Sequence, residues 1–372
     1  MINFEIVAKL KAMKDGEKFK AFEVKDFSSG WQNTRYRFNA ITDNSRFQMD
    51  ISGGKWIDDK KNKIITMKKA EPGKKASKFE VKWEDRKKPE IIEQIAGFRI
   101  YTCNLLTYDE KTALEEEGRV EEAQKKNHQF LEKTEMAALV KKVIDSGKYA
   151  DAKFKILGTV DFQYSAKDNQ FYRTYSVNKI YKVPDETPCK AEMTINAFYT
   201  ADAIHDDMYE ETKKYMVDCY TDYYFTSVKG NRFVPISLVI KGGDDEQAIK
   251  RANGFKKKLT AFDDDATVRH IGLVADMIDG AEQVAITFDD LDDETKDDIE
   301  CGLISEEDAI KALGGSMNGK RVTEYRIKAL ARGLNKSEAT IYTEEDLHRL
   351  PVIEEIEEEI DLFAGDDDDD DI

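Results

Sequence analysis

Apolar and polar residues alternate in short runs through residues 18–100. The runs are KFKAFEVKDFSS, RYRFNAIT, RFQMDISG, KIITMKK and KFEVKWED, and the turn-forming stretches SSG, DNS, GGK and PGKK interrupt them. A period of two is typical of strands that bury one face, and Gly, Pro, Asn and Ser are typical of the turns between them. The pattern predicts four to six short strands, which suit a small barrel or sandwich such as the OB-type barrel.

The period changes in residues 111–146. Apolar side chains recur there at helical spacing among many Glu and Lys residues: Leu114, Phe130, Met136, Leu139, Val140 and Val143. An apolar stripe at this spacing is typical of an amphipathic helix that packs on a core. We therefore predict one or two helices that connect two β-rich parts of the chain.

The strand pattern resumes in residues 150–243, in KFKILGTVDFQYS, QFYRTYSVNKIYKV, AEMTINAFYT, YMVDCYTDYYFTSV and RFVPISLVIKGG. This second β-rich block has the same plan as the first, but the two do not align residue by residue, so an internal duplication is a hypothesis. Residues 244–262 follow as a predicted helix, whose acidic first turn suits the helix dipole.

Residues beyond 291 are acidic with a helical pattern, and residues 320–338 predict a short basic helix. The six aspartates near the end repel one another and are expected to stay solvated. We predict an α+β fold that is mainly β, with one or two OB-like barrels, added helices and a disordered acidic C-terminal tail. The predicted parts are a basic OB-like domain in 1–110, a helical connector in 111–148, a second OB-like domain with a helix in 149–290, an acidic helical region in 291–360 and the tail in 361–372.

Charge is distributed unevenly along the 372 residues. The formal net charge is -17, but residues 1–100 hold 23 Lys and Arg against 15 Asp and Glu, whereas residues 289–372 hold 9 against 28. A basic first part and an acidic last part of one chain are typical of nucleic-acid binding with an acidic tail. The alternative is an acidic surface that only keeps the protein dispersed.

The sequence predicts neither a membrane span nor a secretion signal. No stretch of about 18 uncharged apolar residues occurs, and charged residues interrupt the first twenty positions. The four cysteines, Cys103, Cys189, Cys219 and Cys301, are widely separated and form no C-x-x-C pair. These features favour a soluble protein of a reducing cytoplasm and argue against a zinc site or a disulfide framework.

Few residues suggest catalysis. The four histidines lie in different segments, and no glycine-rich nucleotide-binding loop occurs. The groups His205–Asp207 and Asp263–Asp265 could bind a divalent ion, but in a chain with 75 Asp and Glu such groups are more often solvated turns. We predict no enzymatic activity and no cofactor. A metal-dependent nuclease with carboxylates from distant positions is the alternative.

Aromatic and basic residues are interleaved in the first β-rich block. Proteins hold single strands by stacking bases on aromatic faces and placing cations near the phosphates, with about 1–3 kcal/mol for each stacked base. Within RYRF, a period of two places the aromatic side chains on one face and the arginines on the other. If the aromatic side chains point inward, they are core and the arginines alone meet ligand. Trp31 lies in the turn-like SSGWQNT, which favours a surface position. The candidates are Lys20, Lys25, Trp31, Arg35, Tyr36, Arg37, Arg46 and Phe47.

A second set of candidates lies in the second block, where tyrosines alternate with cations: Tyr164, Lys167, Tyr172, Arg173, Tyr175 and Lys179. Tyrosine suits half-exposed surfaces because its ring is apolar and its tip is polar, although a core position is an equal alternative. Lysines are also concentrated in residues 55–78, and Lys74 and Lys75 in the loop EPGKKASK are candidates for phosphate contacts. The alternative for this stretch is a solvated surface.

The last twelve residues, DLFAGDDDDDDI, follow a body rich in short strands. This plan resembles that of bacterial and especially phage single-stranded DNA-binding proteins, in which OB-type barrels bind the strand and an acidic C-terminal tip recruits replication and repair enzymes. The resemblance implies partner-binding residues at Asp366, Asp367, Asp368, Asp369, Asp370, Asp371 and Ile372. The bacterial tip usually ends in proline and phenylalanine and the bacterial body is shorter, so the chain is more similar to a two-barrel phage type.

The predicted function is sequence-independent binding of single-stranded DNA by a phage-type protein. It would protect single strands in replication or recombination and recruit partner proteins through its acidic tail. The predicted partners are single-stranded DNA and replication or recombination proteins, with no membrane, in the cytoplasm of a host cell. The alternatives are a phage structural or assembly protein, a metal-dependent enzyme of nucleic-acid metabolism, and a DNA mimic that inhibits a host protein.

Overall fold

The computed structural model describes residues 2–352 except for 17–18, 71–74, 76, 208, 244, 263–266, 286–287, 289–290, 306–307, 311–315 and 334–335. The strands are β1 Ile2–Ala12, β2 Phe22–Asp26, β3 Trp31–Ile41, β4 Arg46–Trp56, β5 Lys63–Met67, β6 Lys78–Lys82, β7 Tyr101–Asn104, β8 Asn127–Phe130, β9 Lys153–Ser165, β10 Gln170–Lys182, β11 Lys190–Tyr199, β12 Ile204–His205, β13 Lys214–Phe225, β14 Gly230–Lys241, β15 Arg269–Ala285, β16 Ser316–Leu330 and β17 Glu338–Ala339. The helices are α1 Pro89–Ile92, α2 Tyr108–Glu116, α3 Val120–Gln124, α4 Lys133–Asp145, α5 Tyr209–Thr212, α6 Glu246–Thr260, α7 Asp293–Glu300 and α8 Glu344–His348.

Five strands close into a first barrel, in the order β1, β3, β4, β10, β9 and back to β1. The pairs that close the ring are Ala12–Phe38, Phe38–Met49, Met49–Tyr175, Tyr175–Val160 and Val160–Ile2. The β4–β10 pairing is parallel and the other pairings are antiparallel. In the order of the chain, the barrel strands are β1, β3, β4, β9 and β10, and helix α4 lies between the third of them, β4, and the fourth, β9. This is the arrangement of a five-stranded OB-type barrel.

A second ring repeats the same order with β11, β13, β14, β16 and β15. In chain order its third and fifth strands, β14 and β16, again pair in parallel, at Val239 and Arg326. Helix α6 again connects the third strand, β14, to the fourth, β15. The two rings share an antiparallel contact between their first strands, in which Asn3 pairs with Thr194. The α+β, mainly β fold with OB-like barrels that the sequence predicts is confirmed, and it contains two such barrels.

The barrel interiors form one continuous apolar core. From Thr34 to Phe38 the alternation in β3 is regular, because Tyr36 and Phe38 are buried while Arg35 and Arg37 face outward. Between the barrels, the buried hydroxyl groups of Tyr175 and Tyr325 are 2.7 Å apart. The barrels therefore pack through both strand pairing and side chains.

An insertion between β4 and α4 forms a small satellite to the first barrel. It contains the hairpin β5–β6 and a separate apolar cluster of Val81, Ile95, Ile100 and Leu131. Strand β7 attaches it to the barrel, pairing in parallel with β10. The satellite lies at the end of β4 that finishes with Trp56.

The strand pairing bears on two of the sequence predictions. The first barrel takes β9 and β10 from beyond residue 149, so its ring crosses the boundaries predicted at 110 and 149. The predicted boundaries divide the chain into domains, and strand pairing alone does not define domains. The boundaries therefore stay a prediction. The predicted basic helix in 320–338 is wrong: β16 runs to Leu330, since Tyr325 and Ile327 alternate into the second barrel and the strand pairs with β15.

The predicted disordered tail, 361–372, lies outside the described residues. Among the described residues, none of the helices has the length and apolar character needed to cross a membrane.

Candidate nucleic-acid interface

The three tryptophans of the chain line one cleft of about 350 Å³, the tryptophan cleft. Trp31 begins β3, Trp56 ends β4, and Trp83 follows β6 in the satellite. The cleft therefore lies between the outer face of the first barrel and the satellite. All three rings are half-buried, so each is held by the protein while part of its surface meets solvent.

Trp31 and Trp56 form the barrel side of the cleft. They are directly paired across β3 and β4, and their rings meet edge to face with centroids 5.4 Å apart. The turn before Trp31 contains Gly30 at φ 83°, a left-handed conformation that favours glycine. The ring of Trp31 also lies directly against Gly54, where a β-carbon would overlap it. Close backbone approach thus fixes the position of the indole.

Trp83 forms the satellite side of the cleft, and Arg86 holds it there. The Arg86 guanidinium lies 4.1 Å from the centre of the Trp83 ring, and its Nη1 donates to the Trp83 carbonyl oxygen at 2.7 Å. Its Nη2 donates to Oε1 of Glu135 in α4 at 2.6 Å. Arg86 therefore connects the satellite to the helix of the first barrel.

Cations surround the aromatic rings. Lys61 Nζ lies 5.8 Å from the Trp56 ring centre, and Lys63 and Lys133 also line the tryptophan cleft. Lys133 Nζ donates to Ser176 Oγ at 2.8 Å, and burial lowers the pKa of this lysine, although Asp161 and Asp50 oppose the shift. An adjoining groove of about 710 Å³ shares Lys63 and Trp83 and has further basic and acidic lining residues: Lys55, Lys60, Lys82, Arg86, Asp59, Glu80 and Glu84.

The arginines of β3 lie on the same outer face as Trp31. Arg35 donates to the buried carboxylate of Asp50 on β4, and Arg37 Nε lies 3.6 Å from the same oxygen. Burial raises the pKa of Asp50, and the two guanidinium groups oppose that shift. One carboxylate thus orients two arginines and neutralises one of their charges.

The β9–β10 hairpin carries the predicted tyrosines at the other end of β4, near Arg46. Tyr172 is about half exposed and its hydroxyl contacts Asp168, while Tyr164 donates to Asn169 Oδ1 at 2.7 Å. Lys167 is exposed on the same hairpin, and Arg173 is exposed with its guanidinium 5.0 Å from the centre of the Tyr325 ring of the second barrel. In an OB-type barrel, the second and third strands and the loop between the fourth and fifth strands are the usual nucleic-acid surface.

The structure places the predicted residues in different environments. Tyr36, Phe47 and Tyr175 are buried in the barrel core, so their rings are not free to stack on bases, and they leave the candidate interface. Lys20, Lys25, Arg46 and Lys75 are exposed, whereas Lys179 donates to the Gly97 carbonyl oxygen on another face. Lys74 and the tail residues lie outside the described residues. The remainder are the candidates described above: Trp31, Arg35, Arg37, Tyr164, Lys167, Tyr172 and Arg173.

Trp56, Trp83, Arg86 and Lys133 were absent from the predicted set. Only the lysine-rich stretch 55–78 pointed to this region of the sequence. The further signal in the sequence was the three tryptophans, which are rare, large aromatic residues that occur here among many cations.

The suggested metal sites gain no support from the described residues, among which no group of three or more His, Cys, Asp or Glu side chains is placed to hold a metal ion. His205 Nε2 lies 3.1 Å from Asp218 Oδ2, and Asp206 accepts from Lys256 Nζ at 2.7 Å. Asp263–Asp265 lie outside the described residues.

Comparisons with known proteins give few matches. No protein-family model matches the chain, and no curated protein sequence matches it. Among solved structures, a deletion mutant of the single-stranded DNA-binding protein from Thermus aquaticus matches with a TM-score of 0.29 and 6% sequence identity, over 75% of this chain and 87% of that chain. The wild-type protein from Thermus aquaticus matches with a TM-score of 0.28 and 7% identity, over 75% and 85%. Likeness of this size carries no functional inference.

Proposed function

We propose that this chain binds single-stranded DNA without sequence preference, as a non-enzymatic protein with no cofactor. The observation that carries the proposal is the tryptophan cleft, where Trp31, Trp56 and Trp83 lie together among lysines on the outer face of an OB-type barrel. Aromatic rings stack on bases of any sequence, and lysines attract phosphates of any sequence.

The geometry favours a single strand over a duplex. A base within a duplex has both faces stacked on its neighbours, so only an unpaired base can offer a face to Trp31 or Trp83. Beyond the cleft, Arg35 and Arg37 continue the basic surface along β3 towards the β9–β10 hairpin. We propose that the strand follows this face and that Tyr172 and Lys167 contact it at the hairpin.

The finer functional assignment is also part of this proposal. We propose a phage-type protein of a host cytoplasm that protects single strands in replication or recombination. Asp366–Asp371 and Ile372 would recruit partner proteins, because a run of aspartates is attracted to basic partner surfaces. The charge difference between residues 1–100 and 289–372 supports this division of roles.

Intrinsic fluorescence offers a direct test, because every tryptophan of the chain lines the cleft. Titration with oligo-dT is expected to quench this fluorescence, while a duplex of the same length has a much smaller effect. Trp31→Ala is expected to lower the affinity by between about fivefold and 150-fold, the range that corresponds to about 1–3 kcal/mol. Affinity of the variants is measured with a labelled oligonucleotide.

Tyr108→Ala is the matched control, because Tyr108 is an exposed aromatic residue at the start of α2 and does not line the cleft. It is expected to bind as the native chain does. Equal affinities of the Trp31→Ala variant and the native chain, or no binding of oligo-dT at low salt, would exclude the proposed function.

A further inference from the structure

The two barrels have the same strand order, so their outer faces can be compared directly. In the first barrel, the face formed by the second and third strands carries Arg35 and Arg37 and ends at the tryptophan cleft. In the second barrel, the chain's own residues 337–351, the C-terminal segment, pack on part of the corresponding face, at Tyr220 of β13 and Phe233 of β14. Met216 and Tyr224, on the same face of β13, are exposed. The segment contains β17 and α8.

Apolar contacts hold the segment. Leu347 in α8 is only 1% exposed and packs with Phe198, Phe233 and Val268 in a small cluster outside the barrel interior. The ring of Tyr342 lies with its centroid 4.9 Å from that of Phe233. These contacts have the composition of a protein core rather than of a solvated surface.

Backbone and polar contacts add to this packing. Strand β17 pairs with β15, with Ala339 opposite Arg269. Arg269 donates to the hydroxyl of Ser337 at 2.9 Å and to its carbonyl oxygen at 2.7 Å. On β14, Arg232 Nε donates to the Leu350 carbonyl oxygen at 3.3 Å. The segment thus engages two arginines of the second barrel.

The surface beside the segment is acidic. Asp218 and Asp222 lie on β13 and Asp202 precedes β12, and the segment itself contains four acidic residues against one arginine. Besides Arg232 and Arg269, His270 and His348 are at the segment: His270 Nε2 lies 3.6 Å from Glu338, and His348 Nδ1 lies 3.3 Å from the Tyr220 hydroxyl. A polyanion is repelled by such a surface.

We propose that the second barrel binds the C-terminal segment and that single-stranded DNA binds to the first barrel alone. The partner of the second barrel's face is therefore a peptide of this chain, anchored by Leu347, and not a nucleic acid. This inference rests on the proposed function and assigns it to one of two similar barrels.

Full-length variants test the assignment through the affinity for labelled oligo-dT and the number of nucleotides covered per chain. Trp56→Ala, in the cleft, is expected to lower the affinity by about tenfold to 100-fold. Leu347→Asp, which places a charge in the apolar anchor, is expected to release the segment, seen as faster amide exchange in α8. Its affinity is expected to stay within about twofold of the native value, with the same number of nucleotides covered.

Phe233→Ala serves as a second variant, because it removes a ring of the face and leaves the segment's sequence intact. It too is expected to bind oligo-dT within about twofold of the native chain. The Trp56→Ala, Leu347→Asp double variant is expected to bind as weakly as Trp56→Ala.

A larger number of covered nucleotides in Leu347→Asp, or recovered binding in the double variant, would overturn the inference and reveal a second nucleic-acid face under the segment. A loss of affinity beyond tenfold in Phe233→Ala would also overturn it. These outcomes differ from a failure of the proposed function, in which the native chain itself does not bind or Trp56→Ala has no effect.

Discussion

The indole ring of Trp31 lies against the backbone of Gly54, in the space that a β-carbon would fill at any other residue. Gly54 follows Gly53 on β4, two residues before Trp56, so the strand has no side chain where the ring approaches. This contact sets the orientation of Trp31 in the tryptophan cleft. A side chain introduced at Gly54 would therefore displace the Trp31 ring while leaving the tryptophan in place.

Gly54→Ala is expected to displace the Trp31 ring and to weaken oligo-dT binding by about tenfold, near the lower end of a lost stacking contact. The ring is the more movable partner, so the melting temperature is expected to change little. Fluorescence titration and thermal unfolding measure the two effects. Gly97→Ala is the control, since a β-carbon there meets nothing within 4 Å. Native affinity in Gly54→Ala would show that the position of Trp31 does not matter for binding.

Asp50→Asn is expected to strengthen DNA binding at low salt. The charged carboxylate neutralises one of the two arginines beside it, and asparagine keeps the shape while freeing that charge. One added phosphate contact steepens the dependence of log affinity on log salt by about 0.7 for single strands. Titrations at several salt concentrations measure this slope, and an unchanged slope would show that Arg35 and Arg37 do not contact phosphates.

The raised pKa of Asp50 also predicts a pH effect on stability. Above the ordinary Asp pKa of about 3.9, the folded chain retains a proton at this site that the unfolded chain has lost. The stability from this proton is present below the ordinary pKa and is lost as the pH rises through the raised value. The native chain is therefore expected to gain stability relative to Asp50→Asn as the pH falls towards 4, measured by urea unfolding.

The hydroxyl pair Tyr175–Tyr325 is expected to couple the two barrels energetically. Both hydroxyls are buried and burial raises the pKa of both, so they remain protonated. Tyr175→Phe or Tyr325→Phe leaves one hydroxyl without this partner and is expected to cost about 1–3 kcal/mol. The double variant is expected to cost less than the sum of the single changes. Urea unfolding of all four proteins tests this, and additive costs would mean that the pair does not contribute as a unit.

The sequence predicted the β-rich fold class because alternation is a local signal. The RYRF run shows this, with Tyr36 and Phe38 in the core and the arginines outside. Strand β1 was not predicted, because Ile6, Val7 and Ala8 are all buried and break the period of two. That burial has a tertiary cause: β1 pairs with β3, β9 and β11 and belongs to the junction of both barrels.

Long-range pairing also explains the other differences. Residues 320–338 are rich in Lys, Arg and Ala, which favour helices, but β14 and β15 supply backbone partners that make residues 316–330 a strand. Similarly, Trp83 and Lys133 reach the tryptophan cleft only through the satellite and α4. A single sequence carries no signal for contacts of that separation, whereas Trp31 was found from its local turn.

Cysteine reactivity is expected to follow burial. Cys301 is exposed, Cys189 is half-buried, and Cys103 and Cys219 are buried. Burial raises the pKa of Cys103 to about 12, and it also raises that of Cys219. Because the thiolate is the reactive form, a thiol reagent at pH 8 is expected to label Cys301 first and Cys189 more slowly. Mass spectrometry identifies the labelled sites, and rapid labelling of Cys103 or Cys219 without denaturant would contradict the described packing.

Lys61 is expected to contribute directly to DNA binding, since its ammonium lies over Trp56 at the edge of the cleft. Lys61→Gln is expected to reduce the salt slope by about 0.7 and to weaken binding equally for oligonucleotides of different sequence, because a phosphate contact carries no base information. Lys229→Gln, at the β13–β14 turn of the second barrel, changes the net charge by the same amount far from the cleft and is the matched control. Equal effects of the two substitutions would mean that DNA responds only to the overall charge of the chain. A larger effect of Lys61→Gln would instead localise the strand at the tryptophan cleft.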